Sequence, residues 1–131
     1  MNIKKSIVGS LFSMLLVSEM AAADWGDVYY CQMTNYIEIS LEGEKFNYKT
    51  YGTLEKLQFK LDQTKNAMVF GSTGGFADEV HKLVIGRNWP SQESWYANDK
   101  YSRTYFGEGK FLSSAVLSGG IFSVSADCDK F

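Results

Sequence analysis

Residues 56–62 have the sequence Lys56-Leu57-Gln58-Phe59-Lys60-Leu61-Asp62, in which polar and apolar side chains alternate. Successive side chains of a strand point to opposite faces, so this pattern predicts a β-strand with one buried and one solvated face. Residues 62–66 are Asp-Gln-Thr-Lys-Asn, a composition typical of a turn, and the apolar residues 67–70 follow directly. The middle of the chain is therefore predicted to form an antiparallel β-hairpin.

The last third of the chain repeats this pattern. We expect strands at 103–106, 110–117 and 121–128, separated by turns at 107–109 and 118–120 that contain glycine. Glycine adopts positive φ without a steric penalty, and tight hairpin turns require such angles. One face of the last strand is apolar and carries Phe122, Val124, Ala126 and Cys128.

The N-terminal part adds further alternating segments. They are Tyr29/Cys31/Met33, Ile37/Ile39/Leu41 and, after a turn at 41–44, Phe46/Tyr48/Thr50. Together with the strands above, they predict a mainly β domain, an antiparallel meander of seven to nine short strands.

Residues 78–86 fit either a short helix or a strand. The helix has Asp78 as its N-cap, Val80, Leu83 and Val84 as its buried stripe, and Gly86 as its end. These features favour one short helix near 78–86.

Cys31 and Cys128 are the only cysteines, and they lie near the two ends of the β-rich region. An even number of cysteines in an exported chain predicts a disulfide. A bridge between the first and last strands favours a small closed or nearly closed barrel, since closure removes exposed strand edges. A flattened sandwich is the alternative.

The N-terminus has the three parts of a secretory signal peptide. Lys4 and Lys5 precede an apolar stretch at 6–17, and small residues occupy 21–23. That stretch is too short for a membrane-spanning helix. We therefore expect residues 1–23 to be cleaved and 24–131 to form a single disulfide-closed domain, periplasmic or secreted, with no stable membrane anchor.

The charge balance restricts the partners. The chain has 13 Lys and Arg residues against 15 Asp and Glu residues. It has no basic cluster after the N-terminal lysines, so we expect no nucleic-acid partner, because binding to phosphates requires concentrated positive charge.

No catalytic or metal-binding motif stands out, and we expect no cofactor and no metal. His81 is the only histidine and lies beside apolar residues, which favours a structural role. The loop 71–75 (Gly-Ser-Thr-Gly-Gly) lacks the lysine of a phosphate-binding loop. Asp24, Asp27, Asp127 and Asp129 are expected to form a solvated acidic rim, because they lack the spacing of a calcium loop.

The aromatic-rich segment 89–101 is the candidate ligand-binding region. Trp89, Trp95, Tyr96 and Tyr101 combine flat apolar faces with nearby polar side chains, a combination that suits a glycan or a protein surface. The alternative is that the two tryptophans fill one end of a small barrel.

The chain resembles small exported bacterial β-rich proteins with Y-x-C near the mature start and a C-x-K-F ending. The matching residues are Tyr29-Tyr30-Cys31 and Ser125-Ala126-Asp127-Cys128-Asp129-Lys130-Phe131, and the likeness covers most of the region after residue 23. The resemblance implies export and a β-rich fold, and it carries over no known activity.

The leading functional hypothesis is an exported barrel that binds an unidentified protein or glycan through its end loops and is not an enzyme. One alternative is an inhibitor of an exported hydrolase of the lysozyme or protease type. A second is a small hydrolase that uses a pair of carboxylates. A third, a carrier for an apolar ligand, requires a cavity of a few hundred cubic ångströms, whereas we expect side chains to fill so short a barrel.

Overall fold

The computed structural model of the protein describes residues 23–51, 54–84 and 94–131. Residues 1–22 of the expected signal peptide lie outside the described residues, as does Trp89. The described parts of the chain contain nine strands and no helix. The strands are β1 (Val28–Glu42), β2 (Lys45–Thr50), β3 (Lys56–Asp62), β4 (Ala67–Phe70), β5 (Val80–Leu83), β6 (Ser94–Asn98), β7 (Ser102–Gly107), β8 (Lys110–Leu117) and β9 (Gly120–Lys130).

Eight of these strands form a closed antiparallel barrel. Its order is β1-β3-β4-β5-β6-β7-β8-β9, and pairing of β9 with β1 completes the circle. The remaining strand, β2, pairs with the second half of β1 outside this circle. The prediction of a closed meander of seven to nine strands is confirmed.

A disulfide links the first and last barrel strands, as predicted. Cys31 and Cys128 are directly opposite each other in the β1–β9 ladder, and their sulfur atoms are 2.00 Å apart. Both residues are buried. The bridge therefore lies inside the barrel and closes it covalently, next to the backbone hydrogen bonds that already join the two strands.

The turn chemistry anticipated from glycine is also present. Between β7 and β8 the two-residue turn has φ of 51° at Glu108 and 72° at Gly109. Positive φ at both central positions matches the right-handed twist of the adjoining strands. In the β3–β4 turn, Asn66 adopts φ of 48°.

Strand β1 changes its inward face at a β-bulge. The ladder with β9 pairs Met33 with Ala126 but Asn35 with Ser125, which leaves Thr34 as an extra residue. Its hydroxyl lies 2.9 Å from the Ser125 hydroxyl, so the bulge has a polar partner. The two alternating segments predicted at 29–33 and 37–41 thus belong to one strand, in which odd-numbered residues point inward before the bulge and outward after it.

The expectation of a helix near 78–86 is wrong. Residues Val80–Leu83 form strand β5 between β4 and β6, while residues 85 and 86 lie outside the described part of the chain. Asp78 adopts φ of 63°, and its amide donates to the Gly71 carbonyl, so it closes a loop and does not begin a helix. Pairing on both sides outweighed the local helical spacing, and His81, not Val80, is the buried residue.

The described part of the chain contains no helical segment that could span a bilayer.

Candidate functional site

One half of the barrel is filled with aromatic side chains. Phe59 lies at its centre, with ring centroids 5.5 Å from Tyr29, 5.0 Å from Phe106 and 5.8 Å from Phe111. The disulfide lies in this half, and the edge-to-face pair Trp25–Trp95 packs against the same core, with centroids 5.0 Å apart. We call it the packed half.

The other half contains an open cavity of about 470 Å³. It lies towards the end of the barrel where β1 and β8 finish and β9 begins. We call it the open half. Among the described residues, the apolar part of its lining includes Met33, Tyr36, Tyr51, Leu54, Phe76, Ala115, Phe122 and Val124.

The β4–β5 loop forms one side of this cavity. Gly74, with φ of 92°, packs its backbone against the Lys56 carbonyl, where a Cβ has no room. A Cβ on Gly75 would come within 2.8 Å of the Met33 methyl and of a Glu55 carboxylate oxygen. The glycines at 74 and 75 therefore let the loop approach β3 closely at the cavity wall.

The polar lining is acidic and hydroxylic. Glu55 and Glu79 supply carboxylates, Ser102 and Ser113 supply hydroxyls, and none of the lining residues in the described chain is Lys or Arg. Tyr36 also lines the cavity; burial and then the nearby Glu38 and Glu55 raise its pKa, so its phenol stays neutral. The cavity thus combines an apolar wall with acceptors and net negative charge.

His81 lies beside this cavity at the centre of a polar cluster. Its side chain is fully buried, and its Nδ1 is 2.8 Å from the Thr104 hydroxyl, which lies 2.9 Å from the Ser113 hydroxyl. Its Nε2 is 3.2 Å from Glu79 Oε1 and 3.3 Å from Asp99 Oδ2. Through Glu79 and Ser113, the cluster reaches the cavity wall.

Asp99 is held in place by three hydrogen bonds to Oδ1. The backbone amides of Tyr101 and Ser102 and the Ser102 hydroxyl donate at 2.8, 2.7 and 2.6 Å. Burial by itself raises the pKa of Asp99, but these bonds and the nearby His81 outweigh it and lower the pKa overall. Asp99 is thus a fixed carboxylate whose other oxygen, Oδ2, points at His81.

The aromatic residues predicted as a ligand-binding patch lie in different places. Trp95 is the second residue of β6 and packs inward, where its indole N–H is buried without a hydrogen-bond partner among the described residues. Tyr96 follows on the outer face, with its ring centroid 5.3 Å from that of Tyr105. Tyr101 is in the β6–β7 turn, 54% exposed, beside the Lys100 ammonium. The structure does not bring these three rings onto one face, and Trp89 is outside the described residues.

Sequence reasoning missed both the cavity and the histidine cluster. A signal for the cluster was present, because Thr104 and Ser113 occupy positions that strand alternation turns inward, and they pair directly in the β7–β8 ladder. Polar residues at inward positions of neighbouring strands indicate a buried polar network. Because residues 78–86 are predicted as a helix from the sequence, that prediction does not place His81 beside Thr104 and Ser113.

No family model, curated protein or solved structure matches this chain.

Proposed function

We propose that the protein is an exported binding barrel that holds a small ligand in the cavity of its open half. The supporting observation is a cavity of about 470 Å³, mostly apolar in its lining, inside a barrel whose other half is filled. This volume is in the range of about 300–1,000 Å³ that is usual for small-molecule sites. A carrier for an apolar ligand, the third alternative expected from the sequence, is thus the role that the geometry supports best.

The lining restricts the chemistry of this ligand. Met33, Phe76 and Phe122 offer contacts to an apolar body. Glu55 and Glu79 disfavour a carboxylate or phosphate beside them, since like charges in a partly desolvated site repel. We therefore expect an apolar molecule with a neutral polar group.

Export is part of the proposal and has two supports. One is the Cys31–Cys128 disulfide, a bond that persists mainly in oxidising compartments. The other is the basic, apolar and small-residue pattern of residues 1–23. N-terminal sequencing of the protein from its own host should begin at Asp24; a cytoplasmic chain that retains residues 1–23 would contradict export.

Blocking the cavity tests the binding role. Ala115 lines the cavity, whereas its neighbour Val116 points outward and is 65% exposed. The neutral fluorescent probe N-phenyl-1-naphthylamine should bind the wild type with one site per chain. We expect Ala115→Phe to weaken this binding by roughly tenfold or more, because the new ring occupies the cavity. The matched control Val116→Phe should leave it unchanged.

Two results would contradict the binding role. The first is equal probe affinity of Ala115→Phe and the wild type. The second is no probe binding by any of the three proteins although all are folded by circular dichroism.

A second candidate function, recognition of another exported protein, is supported by the outer surface. An apolar outer patch crosses β2, β1, β9 and β8 and consists of Leu41, Phe46, Tyr48, Val116 and Ile121, which are 41–73% exposed. Among the described strands, β2 pairs only with β1, so its other edge is open. An extended segment of a partner, such as an exported hydrolase, would add to this edge and cover the aromatic rings.

Site-specific crosslinking in the host tests this second candidate. A photoreactive residue in place of Tyr48 should capture one discrete partner, and Phe46→Lys should abolish the adduct. The same residue in place of Lys60, exposed on β3, is the matched control and should capture nothing. An adduct that persists with Phe46→Lys, or one between two copies of this chain, counts against a partner protein.

A further inference from the structure

His81 Nε2 lies between two negatively charged side chains. Two carboxylate oxygens face this nitrogen, at 3.2 Å from Glu79 and 3.3 Å from Asp99. The three ligand atoms all lie within 4.8 Å of one another. A lone pair and two anionic oxygens repel unless a cation lies between them, so either a proton or a metal ion belongs at this point.

A single proton on Nε2 would be shared between the two oxygens in a three-centre bond. Charge-assisted N–H···O bonds to one oxygen are usually about 2.7–2.9 Å long. Both distances here are longer. In a tetrahedral zinc site with bonds of about 2.0–2.2 Å, neighbouring ligand atoms are separated by about 3.3–3.5 Å. The distances from Nε2 to the two oxygens are close to that separation.

We propose that His81 Nε2, Glu79 and Asp99 bind a divalent transition-metal ion, for which Zn²⁺ is the expected species. Each carboxylate contributes one oxygen, Asp99 through Oδ2. Three protein ligands leave a fourth coordination position open. Because Glu79 also lines the cavity, the metal site lies beside the space in which the proposed ligand is held. The proposal of a metal site does not depend on the proposed binding of a ligand in the cavity.

The surroundings of His81 support this assignment. Histidine ligands of metals commonly donate their second N–H to an oxygen, which fixes the ring and its tautomer. Here Nδ1 is 2.8 Å from the Thr104 hydroxyl, which can pass its own hydrogen to Ser113 at 2.9 Å. The chain Nδ1–H→Thr104→Ser113 leaves Nε2 free to coordinate. Asp99 is already oriented by its three hydrogen bonds, and Glu79, 38% exposed, can rotate to close the site.

The donor set also indicates the kind of metal. Imidazole nitrogen favours zinc and its transition-metal neighbours, whereas Ca²⁺ and Mg²⁺ prefer sites built from oxygen alone. The sequence offers no spacing typical of a zinc site, because Glu79 and His81 are two residues apart and Asp99 comes from another strand end. Pairing of β5 with β6 brings them together, so their spacing in the sequence gives no indication of a metal site.

The single histidine makes a direct test possible. In chelator-treated, tag-free protein, every histidine ring signal in an NMR spectrum belongs to His81. Adding one equivalent of Zn²⁺ should shift the ring ¹⁵N resonances and move Nε2 to the value of a metal-bound nitrogen. Calorimetry should give one site per chain, and equal concentrations of Ca²⁺ or Mg²⁺ should leave the spectrum unchanged.

Two matched carboxylate variants separate this site from adventitious binding. Glu79→Gln removes a ligand and should weaken Zn²⁺ binding by roughly tenfold or more. Glu55→Gln removes a carboxylate that lines the same cavity but lies outside the cluster, and it should leave the affinity unchanged.

The hydroxyl of Thr104 gives an independent test. Thr104→Val should weaken Zn²⁺ binding by roughly 10–100-fold, because His81 loses the group that orients it, while Thr104→Ser keeps the hydroxyl and most of the affinity. Unchanged His81 resonances at saturating Zn²⁺, or equal affinities of the wild type and Glu79→Gln, would overturn the proposal. Loss of probe binding in the cavity with retained Zn²⁺ binding would overturn only the proposed ligand-binding function.

Discussion

The packed half and the open half of the barrel belong to the same eight strands but differ in what fills them. In the packed half, inward positions carry Phe59, Phe106, Phe111 and the disulfide, and little space remains. In the open half, inward positions carry small or polar residues such as Ser102, Ser113 and Ala115, and a cavity results. The aromatic packing of this barrel is thus concentrated at one end, and the cavity lies at the other.

The largest expected effect comes from breaking the covalent link in the packed half. Replacing Cys31 and Cys128 with serine together should lower the free energy of unfolding by about 4–5 kcal/mol, because the bridge closes a long loop in the unfolded chain. The two cysteines are 97 residues apart in sequence. Urea denaturation with and without reductant measures the loss. An unchanged midpoint would mean that the barrel does not depend on its bridge.

Truncating one phenylalanine in each half should give unequal losses. Phe59 is 1% exposed and contacts several rings, so Phe59→Ala should cost about 3–5 kcal/mol. Phe122 borders a space that is already open, so Phe122→Ala should cost closer to about 1 kcal/mol. Chemical denaturation of the two variants provides the comparison. Equal losses would show that the open half is packed as tightly as the other.

The smallest effect is a dependence on alkaline pH. Burial, and then the neighbouring Asp27, raises the pKa of Tyr29 in the folded protein. A raised tyrosine pKa means that the folded state holds its proton longer, so stability should fall as pH rises above about 10, the value expected in the unfolded chain. The midpoint of urea denaturation measured across this range should fall less steeply for Tyr29→Phe. Identical slopes for the two proteins would contradict the assignment.

The sequence predicts the structure of the packed half better than that of the open half, and the reasons are physical. The hairpin at 56–70, the turn at 107–109 and the Cys31–Cys128 bridge depend on local alternation, positive φ and cysteine chemistry, and all three are as predicted. The bulge at Thr34 and the strand at 80–83 depend on pairing with distant strands. The spacing of residues within a short segment does not show which distant strands that segment will pair with.

The candidate site follows the same division. The aromatic stretch 89–101 is predicted as a ligand-binding region from its composition alone. Alternation in β6, however, turns Trp95 inward and Tyr96 outward. The cluster around His81 joins residues from β5, β7, β8 and the connections beside them. The role of Trp89, Trp95, Tyr96 and Tyr101 in binding stays a prediction.

Two methionines provide the most direct test of the difference between the halves. Met33 and Met68 are the only methionines in residues 24–131; Met33 lines the cavity, and Met68 is fully buried outside its lining. In a ¹³C-methyl NMR titration with N-phenyl-1-naphthylamine, the Met33 methyl resonance should shift and saturate with one site while that of Met68 stays in place. A saturating titration in which Met33 does not move, or in which both methyl groups move equally, would contradict a ligand cavity confined to the open half.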